Sequence, residues 1–156
     1  MGYWIEVTTG IRWNRMLEEG DIRLDAPNVA RYRGFFKGLK AGDFVLHYLT
    51  GTLTSMKSKK SCIVCVSKVE SSPAIIGNRI VAKCSGLLEL PKPVSYKELC
   101  ALKEKSAQLA KLLKMGMQRY LTQISRSDFE SILGVHPANM KHFLKSPLAG
   151  YFYMGR

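Results

Sequence analysis

The turn at Gly42-Asp43 and the strand pattern after it constrain the fold more than any other feature of the chain. Glycine accepts a positive φ and an aspartate side chain can bond the neighbouring backbone, so the pair is typical of a tight turn. Residues 44–50 then alternate between two faces, with Phe44, Leu46 and Tyr48 on one side and Val45, His47 and Leu49 on the other. Residues 3–9 form a second alternating run. Together these features predict strands of a small β-barrel.

The length of the chain sets the number of domains. With 156 residues, the chain is about one domain long and buries enough surface to fold without disulfides or metals. It has no apolar run long enough to cross a membrane, and its N-terminus lacks the pattern of a signal peptide. We expect a single domain over residues 1–156 of an intracellular, cytoplasmic protein.

Cysteine and histidine spacing does not predict a metal site. Cys62-Ile-Val-Cys65 has a zinc-like spacing, but it lies in a β-branched run, where residues three apart point to opposite faces. His136 and His142 would lie about 240° apart around a helix. We therefore expect buried, reduced cysteines and neither metal nor cofactor.

Positive charge is concentrated in the later part of the chain. The net charge is +12, and residues 57–156 hold 17 of the 24 Lys and Arg but only 6 of the 12 Asp and Glu. An excess of this size attracts polyanions. Nucleic acid, an anionic surface and simple solvation all remain open at this point.

Capping and turn residues predict the other elements. These are a helix at 10–19, a turn at 25–28, a short helix carrying Tyr32 and Phe36, a strand at 62–69, a strand at 79–90 ended by Pro91 and Pro93, a helix from Ser95 to Met115, a helix opened by a capping box at Ser127-Asp-Phe-Glu130, a helix from near Pro137 and a strand or packed tail at 151–154. Short strands with interspersed helices indicate an α+β fold built on a partly closed β-barrel.

The helix expected at 95–115 has two different faces. Its leucines share one arc and are expected in the core: Leu99, Leu102, Leu109 and Leu113. Its lysines occupy the other side: Lys97, Lys103, Lys105, Lys111 and Lys114. Such a face is either a solvated surface or a binding surface.

Six segments, taken in order, resemble the EVE domain. They are Tyr3-Trp-Ile-Glu-Val-Thr8 with Trp13, Leu39-Lys-Ala-Gly-Asp43, Val64-Cys-Val-Ser-Lys-Val-Glu-Ser-Ser-Pro73, Val81-Ala-Lys-Cys84, Pro93-Val-Ser-Tyr-Lys-Glu-Leu99 and Tyr120-Leu-Thr-Gln-Ile-Ser-Arg-Ser-Asp-Phe129. The resemblance covers about 2–133 and leaves 134–156 as a C-terminal helical extension. EVE domains belong with the PUA, ASCH and YTH modules. The resemblance therefore implies a PUA-like, partly closed β-barrel flanked by helices that binds nucleic acid, in several members through a modified base.

The resemblance also implies a site. Carried over by position, the residues expected around the base are Thr8, Thr9, Arg23, Tyr48, Thr50, Ser71, Ser72, Pro73 and Tyr120. The cations expected on the phosphate backbone are Lys57, Lys59, Lys60, Lys83 and Arg119. Relatives often carry a tryptophan where this chain has Ile22-Arg23, so either the cage is weaker or the Arg23 guanidinium stacks on the base. Thr8 and Thr9 can equally be helix caps.

Three functions compete at this stage. The first is a non-catalytic module that binds RNA or DNA at a modified or flipped base, with an aromatic-lined pocket and a basic rim. The second is an ASCH-like hydrolase of a modified nucleoside, for which Glu6 and Lys83 are the one pair whose strand faces allow a catalytic partnership. The third is a protein-interaction adaptor in which the lysine face meets an acidic partner. The sequence shows no Ser-His-Asp order, phosphate loop or paired carboxylates, so catalysis is disfavoured.

Overall fold

A curled sheet of seven strands forms the centre of the part of the chain that the structure describes. The structure is a computed structural model and describes residues 1–50 and 61–154. In chain order the elements are β1 (Tyr3–Thr9), α1 (Gly10–Glu19), β2 (Arg23–Pro27), α2 (Ala30–Phe35), β3 (Phe44–Thr50), β4 (Cys62–Val69), β5 (Ala74–Ile76), β6 (Arg79–Ser95), α3 (Tyr96–Cys100), a 3-10 turn (Lys103–Lys105), α4 (Ala107–Lys114), β7 (Leu121–Ile124), α5 (Arg126–Gly134), α6 (Pro137–Leu144) and α7 (Leu148–Met154).

The strand order explains the curl of the sheet. The strands lie in the order β2-β6-β4-β3-β1-β7, and β5 pairs with β6. β1 and β3 run parallel, and the other neighbours are antiparallel. Since β2 and β7 are the two ends of this order, the twist of the sheet brings them toward each other and leaves a seam between them.

The Gly42-Asp43 turn launches β3 as predicted. Gly42 has a φ of 95°, and the Asp43 carboxylate accepts hydrogen bonds from the backbone N–H of Lys40 and from the Trp4 indole. It also accepts one from the N–H of Gly2. The buried carboxylate thus ties the start of β1 to the start of β3, which sets these two strands side by side.

The two faces of the sheet belong to two different cores. Phe44, Leu46 and Tyr48 pack on the outer face, in a large core shared with α3–α7. Val45 and Leu49 point into the curl of the sheet, where two smaller clusters gather around Trp4 and Trp13. The predicted alternation along β3 is therefore confirmed, and both tryptophans lie in the core.

β6 runs farther than predicted, because the structure places its two prolines in an irregularity. The expected end before Pro91 is wrong: β6 continues to Ser95. Glu89 is the partner of Cys65 and Val94 the partner of Ile63, so both prolines fall between paired positions. A proline is tolerated at such a point because no ladder N–H is needed there. The buried Asn139 side chain supplies the missing bonds by contacting both the N–H and the carbonyl of Lys92.

Two sequence predictions are wrong: the turn at 25–28 and the placement of Cys62 and Cys65 on opposite faces. Residues 25–28 do not form a turn, since Arg23–Pro27 is an edge strand that pairs with β6. Cys62 and Cys65 do not point to opposite faces. The register shift between Ile63 and Cys65 places both in the cluster around Trp13. Of the four cysteines, three are buried and one is half-buried, and none is in a disulfide.

The predicted helix over 95–115 is broken into three pieces. The capping box of Ser95 and Glu98 opens α3 as predicted, but Ser106 adopts an extended conformation and caps a separate helix, α4. The four leucines are nevertheless buried and the five lysines exposed, as predicted. Serine can cap a new helix because its hydroxyl bonds a backbone N–H more readily than it continues the helix.

The C-terminal predictions are confirmed in part. α5 ends at Gly134 and α6 begins at Pro137, as predicted. The capping box of α5 is formed by Ser125 and Asp128 rather than by residues 127 and 130, so that prediction is wrong. Residues 148–154 form α7 instead of a strand or tail. No helix among residues 1–50 and 61–154 is long and apolar enough to cross a membrane.

Candidate nucleic-acid interface

Tyr120 closes the seam between the two ends of the sheet. Its hydroxyl donates to Glu6 Oε2 of β1 (2.7 Å) and accepts from the backbone N–H of Asp25 on β2 (2.9 Å). The Arg12 guanidinium donates to the carbonyl of Asp25. The backbone N–H and the carbonyl of Asp25, on the edge strand β2, are therefore both hydrogen-bonded to side chains. Burial, together with the Glu6 carboxylate, raises the pKa of Tyr120 well above its usual value, so the hydroxyl stays protonated and can donate.

A chain of buried polar groups continues from Tyr120 into the barrel. His47 Nδ1 lies 2.8 Å from Glu6 Oε1, and His47 Nε2 lies 2.7 Å from Ser67 Oγ. The imidazole lies 4.8 Å from the Trp13 ring, measured between centroids. Glu6, His47 and Ser67 have the connectivity of a Ser-His-acid triad, which the sequence order did not reveal. All three are 0% exposed. A nucleophile must reach its substrate, so we assign these groups to the fold and not to catalysis.

The structure also separates the pair on which the hydrolase hypothesis depends. Glu6 points into the barrel, where it binds His47 and Tyr120. Lys83 is exposed on the outer side of β6, whereas its neighbours Ala82 and Cys84 are buried inside. The two side chains therefore do not meet.

An open cleft lies between α2 and the β5–β6 hairpin. It has a volume of about 460 Å³ and is lined by apolar side chains and two cations: Phe36, Pro73, Ala74, Ile75 and Ile80 with Gly34, Arg33 and Lys37. Ile75 is 61% exposed. Within the described residues neither cation forms an ion pair; Arg33 donates only to Asn28, at 3.1 Å to its side-chain oxygen. The cleft is thus an apolar wall with uncompensated positive charge at its border.

An aromatic cluster supports this cleft from below. Tyr120 lies 6.0 Å from Phe36 and 6.2 Å from Tyr32, and Tyr32 lies 5.7 Å from Phe35. Such edge and tilted contacts stabilise the rings beyond their burial. α2 is held in place largely by these rings, so the position of the cleft depends on the same tyrosine that closes the barrel.

A second cavity, of about 240 Å³, lies between α4 and β7. It is lined by Gln108, Lys111, Leu112, Met115, Arg119, Thr122 and Gln123. Its lining combines polar and apolar side chains and contains no carboxylate. The Arg119 guanidinium also lies 5.1 Å from the Phe35 ring centre, so this cavity borders the aromatic cluster beneath the cleft.

The residues expected around the base do not converge on one pocket. Tyr48 is 3% exposed and faces the outer core, on the opposite side of β3 from His47. Thr9 caps α1 by accepting the N–H of Arg12, which is the alternative role left open for it. Thr8 is buried inside the curl, with a hydroxyl that has no hydrogen-bond partner. Thr50 makes a long contact, 3.4 Å, to the carbonyl of Thr8.

The other predicted base contacts are nearer the surface. Arg23 is engaged by carboxylates, with Asp21 at 2.6 Å and Asp25 at 3.3 Å, so its guanidinium is not available as an unpaired stacking group. Ser71 and Ser72 are exposed on the turn before β5. Pro73 lines the cleft. Of the nine residues, the structure therefore places Pro73 in the cleft lining and Tyr120 directly beneath it.

The predicted phosphate contacts are dispersed. Lys57, Lys59 and Lys60 lie outside the described residues. Lys83 is exposed, and the Ser71 hydroxyl accepts its backbone N–H at 3.4 Å. Arg119 lines the second cavity.

Sequence reasoning missed the cations of the cleft. Arg33 and Lys37 lie four residues apart, a spacing that places them on one side of a helix, and this signal was available. Their apolar partners come from β5 and β6, and nothing in the local sequence shows that this hairpin lies beside α2. In the described part of the chain no cluster of His, Cys, Asp or Glu could hold a metal ion.

Comparison with known proteins identifies the fold. No family model matches the chain, and no curated protein matches it significantly. Solved structures do match. Human THYN1, solved in complex with DNA containing 5-methylcytosine, superposes with a TM-score of 0.64 at 12% identity over 86% of this chain and 97% of that one.

Two further structures agree with this match. Protein Atu2648 from Agrobacterium tumefaciens has a TM-score of 0.60 at 15% identity, covering 88% of this chain and 93% of that one. The N-terminal domain of McrB from Staphylothermus marinus has a TM-score of 0.55 at 12% identity, covering 85% and 93%. The chain has the fold of an EVE-type, PUA-like domain: an α+β half-barrel flanked by helices, as predicted.

Proposed function

We propose that the protein is a non-catalytic nucleic-acid-binding module that holds a modified or flipped base of RNA or DNA in the cleft between α2 and the β5–β6 hairpin. The observation that carries the proposal is the combination of an apolar lining with two cations that have no carboxylate partner. A flat heterocycle needs an apolar surface to lie on, and the flanking phosphates need positive charge.

The size of the cleft is compatible with this ligand. Pockets for small ligands enclose about 300–1,000 Å³, and the cleft encloses about 460 Å³. The exposed Ile75 side chain is apolar surface that a bound base would cover. Burial of apolar surface contributes about 25 cal/mol per Å², so even partial coverage of this wall favours binding.

The similarity to human THYN1 supports the same class of ligand. That protein was solved with DNA containing 5-methylcytosine, and the two chains share the half-barrel architecture. At 12% identity the choice between RNA and DNA and the kind of modification do not transfer with the fold. The proposal therefore names the class of ligand only.

A binding screen tests the proposal. Oligonucleotides that differ at one position, with unmodified cytosine, 5-methylcytosine, adenine or N6-methyladenine, are titrated against the protein at low and physiological salt. We expect salt-dependent binding to all of them and a preference for one base. If neither these oligonucleotides nor heparin bind at low salt, the proposal is wrong and the adaptor hypothesis is the better account.

A matched pair of variants connects the screen to the cleft. Ile75 and Ile76 are both 61% exposed, but only Ile75 lines the cleft. Ile75→Ser should reduce the preference among bases, whereas Ile76→Ser should leave it unchanged. Equal effects of the two variants would place the base elsewhere on the protein.

A further inference from the structure

Hydrogen-bond donors line the cavity between α4 and β7, and no carboxylate is among its lining residues. Its polar lining consists of the Lys111 ammonium, the Arg119 guanidinium, the Thr122 hydroxyl and the amides of Gln108 and Gln123. Neither Lys111 nor Arg119 forms an ion pair within residues 1–50 and 61–154. A concave site with two cations and no carboxylate is an electrostatic site for an anion.

Two of these polar groups are left unsatisfied by the protein. Arg119 Nε and Thr122 Oγ1 are buried and have no hydrogen-bond partner. Buried donors are almost always paired, and leaving one unpaired destabilises the folded state. Oxygen atoms of a bound ligand would supply the acceptor that each group lacks.

The backbone before Arg119 is held in a specific conformation. Gly116 and Met117 both have a positive φ, at 65° and 59°, and Met117 is a non-glycine residue that is 2% exposed. A positive φ is unfavourable for a methionine and persists only where the surroundings fix it. The buried Met117 side chain fixes this turn, and the turn carries Arg119 back over the cavity beside Phe35.

We propose that this cavity is a phosphate-binding subsite that holds one phosphodiester of the strand whose base occupies the cleft. This rests on the proposed function. Phosphate oxygens accept hydrogen bonds from guanidinium, ammonium, amide and hydroxyl groups together, and an arginine fork matches them in geometry. Leu112 and Met115 give the cavity an apolar side, against which the carbon atoms of a sugar can pack.

The position of the cavity fits a role beside the cleft. Arg119 contacts Phe35, and the next residue, Phe36, lines the cleft. The two sites are thus linked through consecutive residues at the end of α2. Phosphate contacts of this kind fix the register of a strand without reading its sequence.

Titration with small anions tests the subsite without any oligonucleotide. The Nε–H resonance of Arg119 is followed by NMR during additions of inorganic phosphate, of dimethyl phosphate and of chloride at equal ionic strength. We expect a saturable shift with dimethyl phosphate and none with chloride. Thr122→Val, which removes the hydroxyl and keeps the shape, should weaken the saturation. If inorganic phosphate shifts the resonance and dimethyl phosphate does not, the cavity is a site for free phosphate and the phosphodiester proposal is wrong.

A matched pair of lysine variants then tests the role in strand binding. Lys111 lines the cavity, whereas Lys114 is exposed on the same helix and does not. Lys111→Ala should lower the slope of log affinity against log salt by about 0.7 for a single strand, and Lys114→Ala should change it less. If the two variants have equal salt slopes and dimethyl phosphate does not shift the Arg119 resonance, the subsite proposal is wrong. The proposed function is unaffected by that result if the protein still binds oligonucleotides. Saturation by dimethyl phosphate without any oligonucleotide binding would instead overturn the proposed function.

Discussion

The interior of the half-barrel and the surface beside α2 both contain charged side chains. These side chains have protein partners in the interior, whereas those beside α2 have no carboxylate partner in the described part of the chain. Inside, Glu6, His47, Ser67 and Tyr120 are joined at 2.7 to 2.8 Å and each has its partner. Outside, Arg33 and Lys37 border an apolar cleft without a carboxylate. A buried charge is tolerated only when it is paired, whereas an exposed charge can remain unpaired in water. Paired charges therefore point to a role in the fold, and unpaired ones beside an apolar wall point to a ligand.

The largest effect is expected from removing Glu6. Glu6→Ala leaves His47 and the Tyr120 hydroxyl without their common partner, and both Glu6 and His47 are 0% exposed. Breaking a buried pair costs about 3–5 kcal/mol, so the free energy of unfolding should fall by that amount in denaturant titrations. Glu18→Ala removes an exposed carboxylate from α1 and serves as the control. If both variants lose the same small amount, the interior network does not stabilise the fold.

The closure of the seam is tested by Tyr120→Phe. The variant keeps the ring packed against Phe36 but leaves the Asp25 N–H and Glu6 Oε2 without a partner. An unsatisfied buried group costs about 1–3 kcal/mol, to be measured by thermal or chemical unfolding. Tyr151→Phe removes a hydroxyl from a residue that is 42% exposed and should be neutral. An equally stable Tyr120→Phe protein would mean that the seam closes without this hydroxyl.

Alkaline pH should destabilise the interior of the half-barrel. Burial raises the pKa of the Cys84 thiol from its usual value near 9 to about 12. Because the folded state keeps this proton to higher pH than the unfolded state, stability is full below pH 9 and falls as pH rises toward 12. The slope is about 1.4 kcal/mol per pH unit for one such group.

Cys84→Ala isolates that contribution. We expect the variant to lose stability less steeply than the natural protein between pH 9 and 10, whatever its stability at pH 7. Parallel curves for the two proteins would show that the thiol does not titrate abnormally.

The smallest effect on stability, and the sharpest on binding, is expected at the cleft. Arg33→Ala combined with Lys37→Ala should change the free energy of unfolding by less than about 0.5 kcal/mol, since both side chains are exposed. The slope of log affinity against log salt should fall by about 0.7 for each residue on a single strand. Lys103→Ala with Lys105→Ala removes the same charge from the 3-10 turn. Equal losses in both double variants would indicate general attraction to a basic protein.

Local signals in the sequence predicted much of the fold. The strands β1 and β3, the cap at Ser95 and the start of α6 at Pro137 each depend on residues close together in the chain. The errors arose where a distant residue compensates for a local preference. Asn139 satisfies the backbone beside the prolines of β6, and the pairing of β2 with β6 makes a strand of residues that resemble a turn.

The candidate site was less predictable than the fold, because its parts are far apart in sequence. The lining of the cleft joins residues 33–37 to residues 73–80. The cavity that contains Arg119 joins α4 to β7. The family resemblance indicated Pro73, Tyr120 and Arg119, but not the two cations of the cleft or the polar lining of the second cavity. Those depend on how α2 and α4 pack against the sheet.

The sequence by itself determined the alternation of the strands, the capped helix starts, the burial of the leucines and the excess of positive charge. These follow from the chemistry of a few neighbouring residues and need no knowledge of the rest of the chain. Only the tertiary structure decided which polar groups are paired. Glu6, His47 and Ser67 come from three strands, whereas Arg33 and Lys37 remain without carboxylates because none is placed beside them. Whether a charge stabilises the fold or is left for a ligand depends on neighbours that folding alone brings together.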